Sequence, residues 1–188
     1  MKNKKTYTLE ICGLKRELPI VPITPELSIA SFVILGDTEL VCRVAPEIVK
    51  RLPPVDIIVT PEAKGIPLAF EISRLLGINY IIARKSVKPY MDEPLVEEVY
   101  SITTQKKQIL CLNGEDVAKV KGKRVAIIDD VISTGESVNA VQRLIEKAGG
   151  IVVAKAAILA EGDAVNMKDI IYLKELPLFP REKPSKEK

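Results

Sequence analysis

An acidic pair followed by a turn of small residues is the part of the chain best suited to chemistry. Asp129 and Asp130 close an apolar run. The turn that follows is Ser133, Thr134, Gly135, Glu136 and Ser137. Carboxylates accept hydrogen bonds from vicinal hydroxyls, and N–H groups at a helix start attract phosphate. One ligand, a ribose carrying a 5-phosphate, satisfies both halves, although Ser133 and Glu136 also fit a helix capping box.

Two cationic segments follow other apolar runs. Lys64 comes after the run at 55–60, and Arg84 and Lys88 come after the run at 80–83. In an open α/β sheet, ligands bind beyond the carboxyl ends of the strands. Cations at these strand ends suit a second, more highly charged phosphate group on the same ligand.

Alternation of apolar runs with helical stripes predicts the elements that position these residues. One unit is a strand at 55–60, a helix at 66–76 and a strand at 80–83. A second is a strand at 124–129, a helix at 138–148 and a strand at 151–159. Two such βαβ units predict an α/β fold, with a twisted, mainly parallel sheet and helices on both faces.

The rest of the chain divides around this core. Residues 1–40 are expected to form a small hood of short strands and residues 41–180 the core, with a helix at 41–52; residues 181–188 are expected to be a disordered tail. The polar stretch 84–107 is predicted to be a lid loop, with weak strands at 97–103 and 108–112. Its acidic residues, Asp92, Glu93, Glu97 and Glu98, are expected to form a solvated face.

Composition narrows the possible functions. The 188 residues carry a net charge of +3 and contain no Trp and no His. These features disfavour a nucleic-acid surface and exclude His-based nucleophilic schemes and His-ligated metals. Three separated cysteines and the lack of a signal peptide or membrane-length apolar run predict a cytoplasmic protein with reduced thiols. Any metal should be hard and oxygen-bound, Mg²⁺ above all.

The stretch 125–137 resembles the 5-phosphoribosyl-1-pyrophosphate (PRPP) motif of the type I phosphoribosyltransferases. That motif is two acids, two apolar residues, a small residue, Thr, Gly, any residue, and Thr or Ser. Glu62-Ala-Lys-Gly65 is similar to the pyrophosphate loop of the adenine enzymes, and Arg84-Lys-Ser-Val-Lys88 to their Arg-Lys-Pro-Gly-Lys segment. Leu176-Pro-Leu-Phe179 resembles the close of that family.

The resemblance implies a role for each matching residue. Asp129 and Asp130 would hold the ribose hydroxyls, directly or through Mg²⁺, and residues 133–137 would cradle the 5-phosphate. The pyrophosphate would face the remaining set, Ala63, Lys64, Gly65, Arg84 and Lys88, with Asp129, Asp130, Lys64 and Arg84 acting catalytically. The family further implies a homodimer, and a non-proline cis peptide bond before Lys64.

The implied activity is transfer of phosphoribose from PRPP to a purine base. Ser133 stands where hypoxanthine-guanine enzymes usually carry Asp and adenine enzymes Ala or Ser, so adenine is favoured. Glu136 departs from the Gly common in adenine enzymes, and Val99-Tyr-Ser-Ile-Thr-Thr-Gln105 resembles a xanthine phosphoribosyltransferase segment. A xanthine or other 6-oxopurine enzyme and a non-catalytic PRPP-sensing regulator are therefore the alternatives.

Overall fold

The computed structural model describes residues 5–100 and 107–181. The strands are β1 (Thr6–Ile11), β2 (Leu14–Pro22), β3 (Leu27–Ala30), β4 (Ile57–Pro61), β5 (Tyr80–Ala83), β6 (Leu95–Tyr100), β7 (Lys107–Leu112), β8 (Arg124–Ile132), β9 (Ile151–Glu161), β10 (Ile170–Leu176) and β11 (Leu178–Pro180). The helices are α1 (Thr38–Val49), α2 (Ile66–Leu76), α3 (Gly114–Val120) and α4 (Glu136–Lys147), and a 3₁₀ turn covers Gly162–Asn166.

Five parallel strands form the central sheet, in the order β10-β9-β8-β4-β5. The units β4-α2-β5 and β8-α4-β9 are the two predicted βαβ units, and they place β8 and β4 side by side in the middle. The carboxyl ends of all five strands therefore meet at one edge of the sheet, which confirms the predicted α/β class.

Helices cover both faces of this sheet. Ile58 and Ile128 lie in one buried cluster with α1 and α2, whereas Val59 and Ile127 lie in a second cluster with α4. Neighbouring residues of β4 and β8 thus point to opposite faces, and both faces are apolar. This two-sided burial explains why the central strands read as continuous apolar runs rather than alternating ones.

A separate sheet forms the hood, in the order β1-β2-β3-β11. Its buried side chains Leu9, Leu18 and Ala30 join the cluster of α1 and α2. The hood uses both ends of the chain, because β11 returns after β10 and pairs antiparallel with β3. Arg181, the first residue of the predicted tail, donates its backbone N–H to the Glu26 carbonyl; residues 182–188 lie outside the described part.

Several boundaries differ from the predicted ones. Helix α1 begins three residues before position 41, because the Asp37 side chain accepts a hydrogen bond from the Leu40 N–H and caps it. Strand β8 runs past Asp129 to Ile132, since Val131 and Ile132 still pair with β9. Helix α3 and strand β10 were not predicted: α3 buries only Val120, and β10 is a half-buried edge strand. No helix in the described ranges is long and apolar enough to span a membrane.

Candidate active site

The acidic pair lies in the middle of the sheet edge, on β8 between β4 and β9. Asp130 is 2% exposed. Its Oδ2 lies 3.1 Å from the Lys64 Nζ without hydrogen-bond geometry, and no described residue donates a hydrogen bond to it. The Asp129 Oδ1 accepts the Asp130 N–H at 2.9 Å. Burial and the charge of Asp130 raise the pKa of Asp129. The pair is therefore short of donors and positive charge, and a ligand can supply both.

The turn after β8 forms a small cavity at the start of α4. The cavity has a volume of about 140 Å³ and is lined by Asp129 and residues 131–138. Gly135, with φ of 78°, is the residue before the first helical turn and has no side chain to cap it, and the Thr134 Oγ1 accepts the Glu136 N–H at 3.4 Å. The predicted capping box of Ser133 and Glu136 is wrong, because α4 begins at Glu136 itself. The N–H groups of the next residues of this first turn have no side-chain cap and are oriented to bind an anion.

The segment that follows β9 packs against the turn at 133–137. The Ala164 N–H donates to the Ser133 carbonyl at 3.0 Å. A Cβ at Gly135 would lie 2.9 Å from the Met167 Cε, the movable end of a flexible side chain. The positive φ of Gly135, rather than this contact, is what requires glycine in the loop.

Lys64 reaches the acidic pair from the loop after β4. A Cβ on Gly65 would lie 2.4 Å from the Thr60 Oγ1 and 3.1 Å from the Asp129 Cα, so this loop packs directly on β8. The cis peptide bond joins Glu62 to Ala63, one bond before the expected position. The prediction of a cis bond immediately before Lys64 was therefore wrong; the residue pattern of the turn does not distinguish neighbouring peptide bonds.

Arg84 lies at the end of β5 and is oriented by a residue that the sequence reasoning did not select. The Glu62 Oε1 lies 3.7 Å from the Arg84 Nε, and the Glu62 Oε2 accepts the Lys85 N–H at 2.9 Å. Glu62 thus ties the loop after β4 to the end of β5. The Arg84 Nε faces the Glu62 carboxylate and is buried without a hydrogen-bond partner among residues 5–100 and 107–181, so the guanidinium keeps an unused hydrogen-bond donor.

Lys88 lies farther along the same segment, in a turn closed by a hydrogen bond from the Met91 N–H to the Lys88 carbonyl. Burial raises the pKa of the Cys111 thiol, and the charges of Arg84 and Lys88 oppose that rise. Lys88 therefore lies near Arg84. The described contacts do not join its side chain to Asp129 or Asp130.

The predicted lid begins as an antiparallel hairpin of β6 and β7. Glu97 is buried, and its carboxylate pairs with Arg143 and Lys147 on α4, the Arg143 Nε at 2.6 Å. The expectation of a solvated face is wrong for Glu97, because one side of the hairpin packs on α4. Residues 101–106, which include Ile102-Thr103-Thr104 of the xanthine-like segment, lie outside the described residues.

A second acid missed by the sequence reasoning closes β9. Glu161 is 6% exposed, and its Oε1 has no hydrogen-bond partner in the described structure. It lies near the Ser133 hydroxyl and within the field of Lys64. Its position at the end of a continuous apolar run was the available signal, because Asp129 and Asp130 also close such a run.

The structure brings the strand-end groups together around one cleft edge. The Lys64 side chain contacts Asp130, and the turn at 133–137 lines one cavity with Asp129. Arg84 is linked to the Lys64 loop through Glu62. Among the described residues there is no group of three or more His, Cys, Asp or Glu side chains suited to a metal ion. The two adjacent carboxylates of Asp129 and Asp130 offer hard oxygen donors at the centre of this edge.

Comparisons with known proteins agree with this geometry. The sequence model of the phosphoribosyl transferase domain matches residues 51–179, and the chain belongs to that family. A hypoxanthine/guanine phosphoribosyltransferase of Methanococcus voltae is 40% identical over 136 residues, covering 72% of this chain and 69% of that protein. An adenine phosphoribosyltransferase of Fervidobacterium nodosum is 39% identical over 125 residues, covering 66% of this chain and 68% of that protein.

Solved structures of adenine phosphoribosyltransferases share the fold. The enzyme of Thermoanaerobacter pseudethanolicus is 26% identical with a TM-score of 0.70, covering 84% of this chain and 95% of that chain. The enzyme of Trypanosoma brucei, in complex with AMP, pyrophosphate and ribose-5-phosphate, is 22% identical with a TM-score of 0.61, covering 76% of this chain and 67% of that chain. At this identity, the second likeness concerns the fold alone.

Proposed function

We propose that this protein transfers the 5-phosphoribosyl group of PRPP to a purine base, releasing pyrophosphate and a nucleoside 5-monophosphate. The observation that carries the proposal is the contiguity of an uncapped anion loop, a donor-poor acidic pair and a lysine within one cleft edge. A sugar with a single phosphate needs only the loop. The additional cations suit a ligand with a diphosphate at the other end of the ribose.

The loop at 133–137 binds the 5-phosphate in this proposal. Its backbone N–H groups at the start of α4 carry the partial positive charge of the helix end. Ser133, Thr134 and Ser137 add hydroxyl donors. Because the left-handed Gly135 and the Ala164 N–H bound to the Ser133 carbonyl hold the loop, the phosphate meets a preformed site and little ordering is needed on binding.

Asp129 and Asp130 hold the ribose hydroxyls, and they are the residues that would hold Mg²⁺. Mg²⁺ typically takes one or two carboxylates and completes its shell with phosphate oxygens and water. An adjacent carboxylate pair with the unpartnered Asp130 Oδ2 fits that preference. When bound, the ion would neutralise charge on the pyrophosphate.

Lys64 and Arg84 stabilise the leaving group. The bond between the ribose C1 and the pyrophosphate oxygen breaks, and its electron pair departs with pyrophosphate. A ring nitrogen of the base then bonds to C1 and loses its proton. Cations fixed near the departing oxygens lower the barrier, because they stabilise charge that develops only in the transition state.

Adenine is our first choice of base, since Ser133 replaces the Asp usual in hypoxanthine-guanine enzymes. A 6-oxopurine is the second candidate, because the hypoxanthine/guanine enzyme of M. voltae is 40% identical to this chain.

A base panel tests the proposal. The protein is incubated with Mg-PRPP and, separately, adenine, hypoxanthine, guanine, xanthine, uracil or orotate, and pyrophosphate release is measured. We expect release with adenine. Release only with a 6-oxopurine would identify a 6-oxopurine, rather than adenine, as the substrate base. Release only with a pyrimidine would contradict the purine assignment. PRPP binding without release for any base identifies a PRPP-sensing regulator instead.

A further inference from the structure

Glu161 is a buried acid that the transfer chemistry described above does not use. The Oε1 of this side chain has no hydrogen-bond partner within the described ranges. Burial raises the pKa of Glu161, and the Ser133 hydroxyl and the charge of Lys64 oppose the rise. An unpaired buried oxygen costs free energy. That cost is recovered when a donor arrives from outside the chain.

Glu161 flanks the proposed PRPP site, on the side of β8 that lies away from the Lys64 loop. It is the last residue of β9, next to Ser133 on one side and in register with Leu176 of β10 on the other. Ser133 opens the phosphate loop, and Lys64 belongs to the pyrophosphate side. The base bonds to the ribose C1 on the side away from the departing pyrophosphate, and Glu161 lies on the side of the acidic pair away from the Lys64 loop.

The hood supplies an apolar wall beside this carboxylate. Leu178 is 38% exposed, and its Cδ1 would lie 3.5 Å from a Cβ built on Gly162, the residue after Glu161. Leu178 pairs with Ile29 in the antiparallel register of β11 and β3. Directly paired residues lie on the same face of a sheet, so Leu178 and the half-buried Ile29 form one apolar patch.

A purine base matches this arrangement, since it has two flat apolar faces and N–H donors at its edge. We propose that the Glu161 carboxylate accepts an N–H of the purine base while Leu178 and Ile29 pack against the face of the ring. The inference rests on the proposed function, and it names the residue that orients the base. Glu161 is thereby a specificity-determining contact, separate from the residues that hold PRPP.

Metal binding does not account for Glu161. The described residues contain no cluster of three acids, so Glu161 does not extend the pair of Asp129 and Asp130 into a metal cage. A purely structural function does not account for it either, because a structural acid in a buried position satisfies its oxygens within the protein.

Calorimetry on Glu161→Met and Glu161→Gln tests the inference without turnover. Ribose 5-phosphate and Mg-pyrophosphate fill the sugar and leaving-group subsites, and each base of the panel is titrated in. Methionine removes the acceptor at similar volume, whereas glutamine keeps one acceptor oxygen. We expect the base Kd to rise at least about tenfold for Glu161→Met and less for Glu161→Gln. The PRPP Kd should stay within about twofold. Glu175→Gln, at an exposed acid on β10, is the matched control and should change neither.

Thermal stability separates this function from a structural one. Removing the unsatisfied Oε1 offsets the loss of the contact with the Ser133 hydroxyl, so the melting temperature of Glu161→Met should stay close to that of the parent. A lower melting temperature with an unchanged base Kd overturns the inference, as does an equal loss of PRPP affinity or the absence of base binding by the parent protein. Pyrophosphate release by the parent in the base panel, measured separately, decides the proposed transferase function. The two can therefore fail independently.

Discussion

Replacing Gly65 by alanine tests how tightly the Lys64 loop is fixed against the acidic pair. Gly65 has φ of −70°, which alanine adopts readily, so the substitution acts through space rather than backbone strain. The new Cβ would lie 2.4 Å from the Thr60 Oγ1, 3.0 Å from the Ile128 carbonyl oxygen and 3.1 Å from the Asp129 Cα. Two of these contacts are backbone atoms of β8, a central strand that is held on both sides.

The magnitude follows from these distances. Ordinary van der Waals contact begins near 3.4 Å, so the loop must move about 1 Å from Thr60 and about 0.4 Å from β8. Overpacking of this kind costs about 1–3 kcal/mol, which corresponds to roughly 2–12 °C in melting temperature for a chain of this size. A displacement near 1 Å at a reacting group costs about 100-fold in rate. We expect kcat/KM for PRPP to fall about 10- to 100-fold.

Steady-state kinetics at varied PRPP and thermal denaturation measure both effects. Thr60→Ala alone is the control, and the double variant Gly65→Ala with Thr60→Ala removes the shortest contact while the two backbone contacts remain. Partial recovery of stability in the double variant is expected, with a coupling of about 0.5–3 kcal/mol. Unchanged PRPP kinetics and melting temperature in Gly65→Ala would refute the close approach of this loop to β8.

Three further substitutions probe the hairpin and the cations. Glu97→Gln should lower the free energy of unfolding by about 1–2 kcal/mol at pH 7, since a buried carboxylate loses two partly exposed cations of α4. Those cations hold the pKa of Glu97 below its usual 4.5. The stabilisation is therefore full above pH 4.5 and is lost as the pH falls through the lower folded-state pKa of Glu97. The urea midpoints of parent and variant should converge in that range. A difference in midpoint that stays constant with pH would contradict the pairing. Lys64→Met and Arg84→Met should each lower kcat/KM for PRPP about 10- to 100-fold through loss of a charge-assisted hydrogen bond. The control Lys174→Met should leave kcat/KM unchanged. Normal kinetics in both site variants would show that Lys64 and Arg84 do not contribute to the site.

The central sheet was predictable because its strands have a clear sequence pattern. The runs in β4, β8 and β9 are continuous apolar stretches, and each is followed or preceded by a helix with a clear apolar stripe. Helix α2 was predicted at its observed bounds, 66–76, since Gly77 at its end adopts a left-handed conformation. Gly65, the residue before the first helical turn, separates the helix from the loop.

The missed parts depend on contacts distant in sequence. Strand β10 mixes polar and apolar residues because it lies at the sheet edge, so neither periodicity stands out. The sequence around Glu97 predicts a solvated loop residue, and only the fold brings Arg143 and Lys147 beside its carboxylate. Glu161 belongs with the site only because β9 lies beside β8, a pairing that brings it next to Ser133.

The candidate site shows the same division. The pattern at 125–137 predicted a ribose-phosphate site with its own loop, and the structure places a cavity there. The orientation of Arg84 depends on Glu62, and the closeness of Lys64 to Asp130 depends on the packing of Gly65 against β8. The local sequence predicts which functional groups the site contains, whereas the distances between those groups are set by the tertiary fold.

The most direct measurement is the affinity for PRPP, by isothermal titration calorimetry with Mg²⁺ present, of the parent and of Asp129→Asn with Asp130→Asn. The control is Glu115→Gln with Asp116→Asn, which neutralises another adjacent acidic pair on α3. We expect the site variant to keep its circular dichroism spectrum and lose at least about 100-fold in PRPP affinity, since two charge-assisted contacts to the ribose hydroxyls disappear. The control should bind as the parent does. Equal PRPP affinity in all three proteins would contradict the assignment of the acidic pair to the PRPP site.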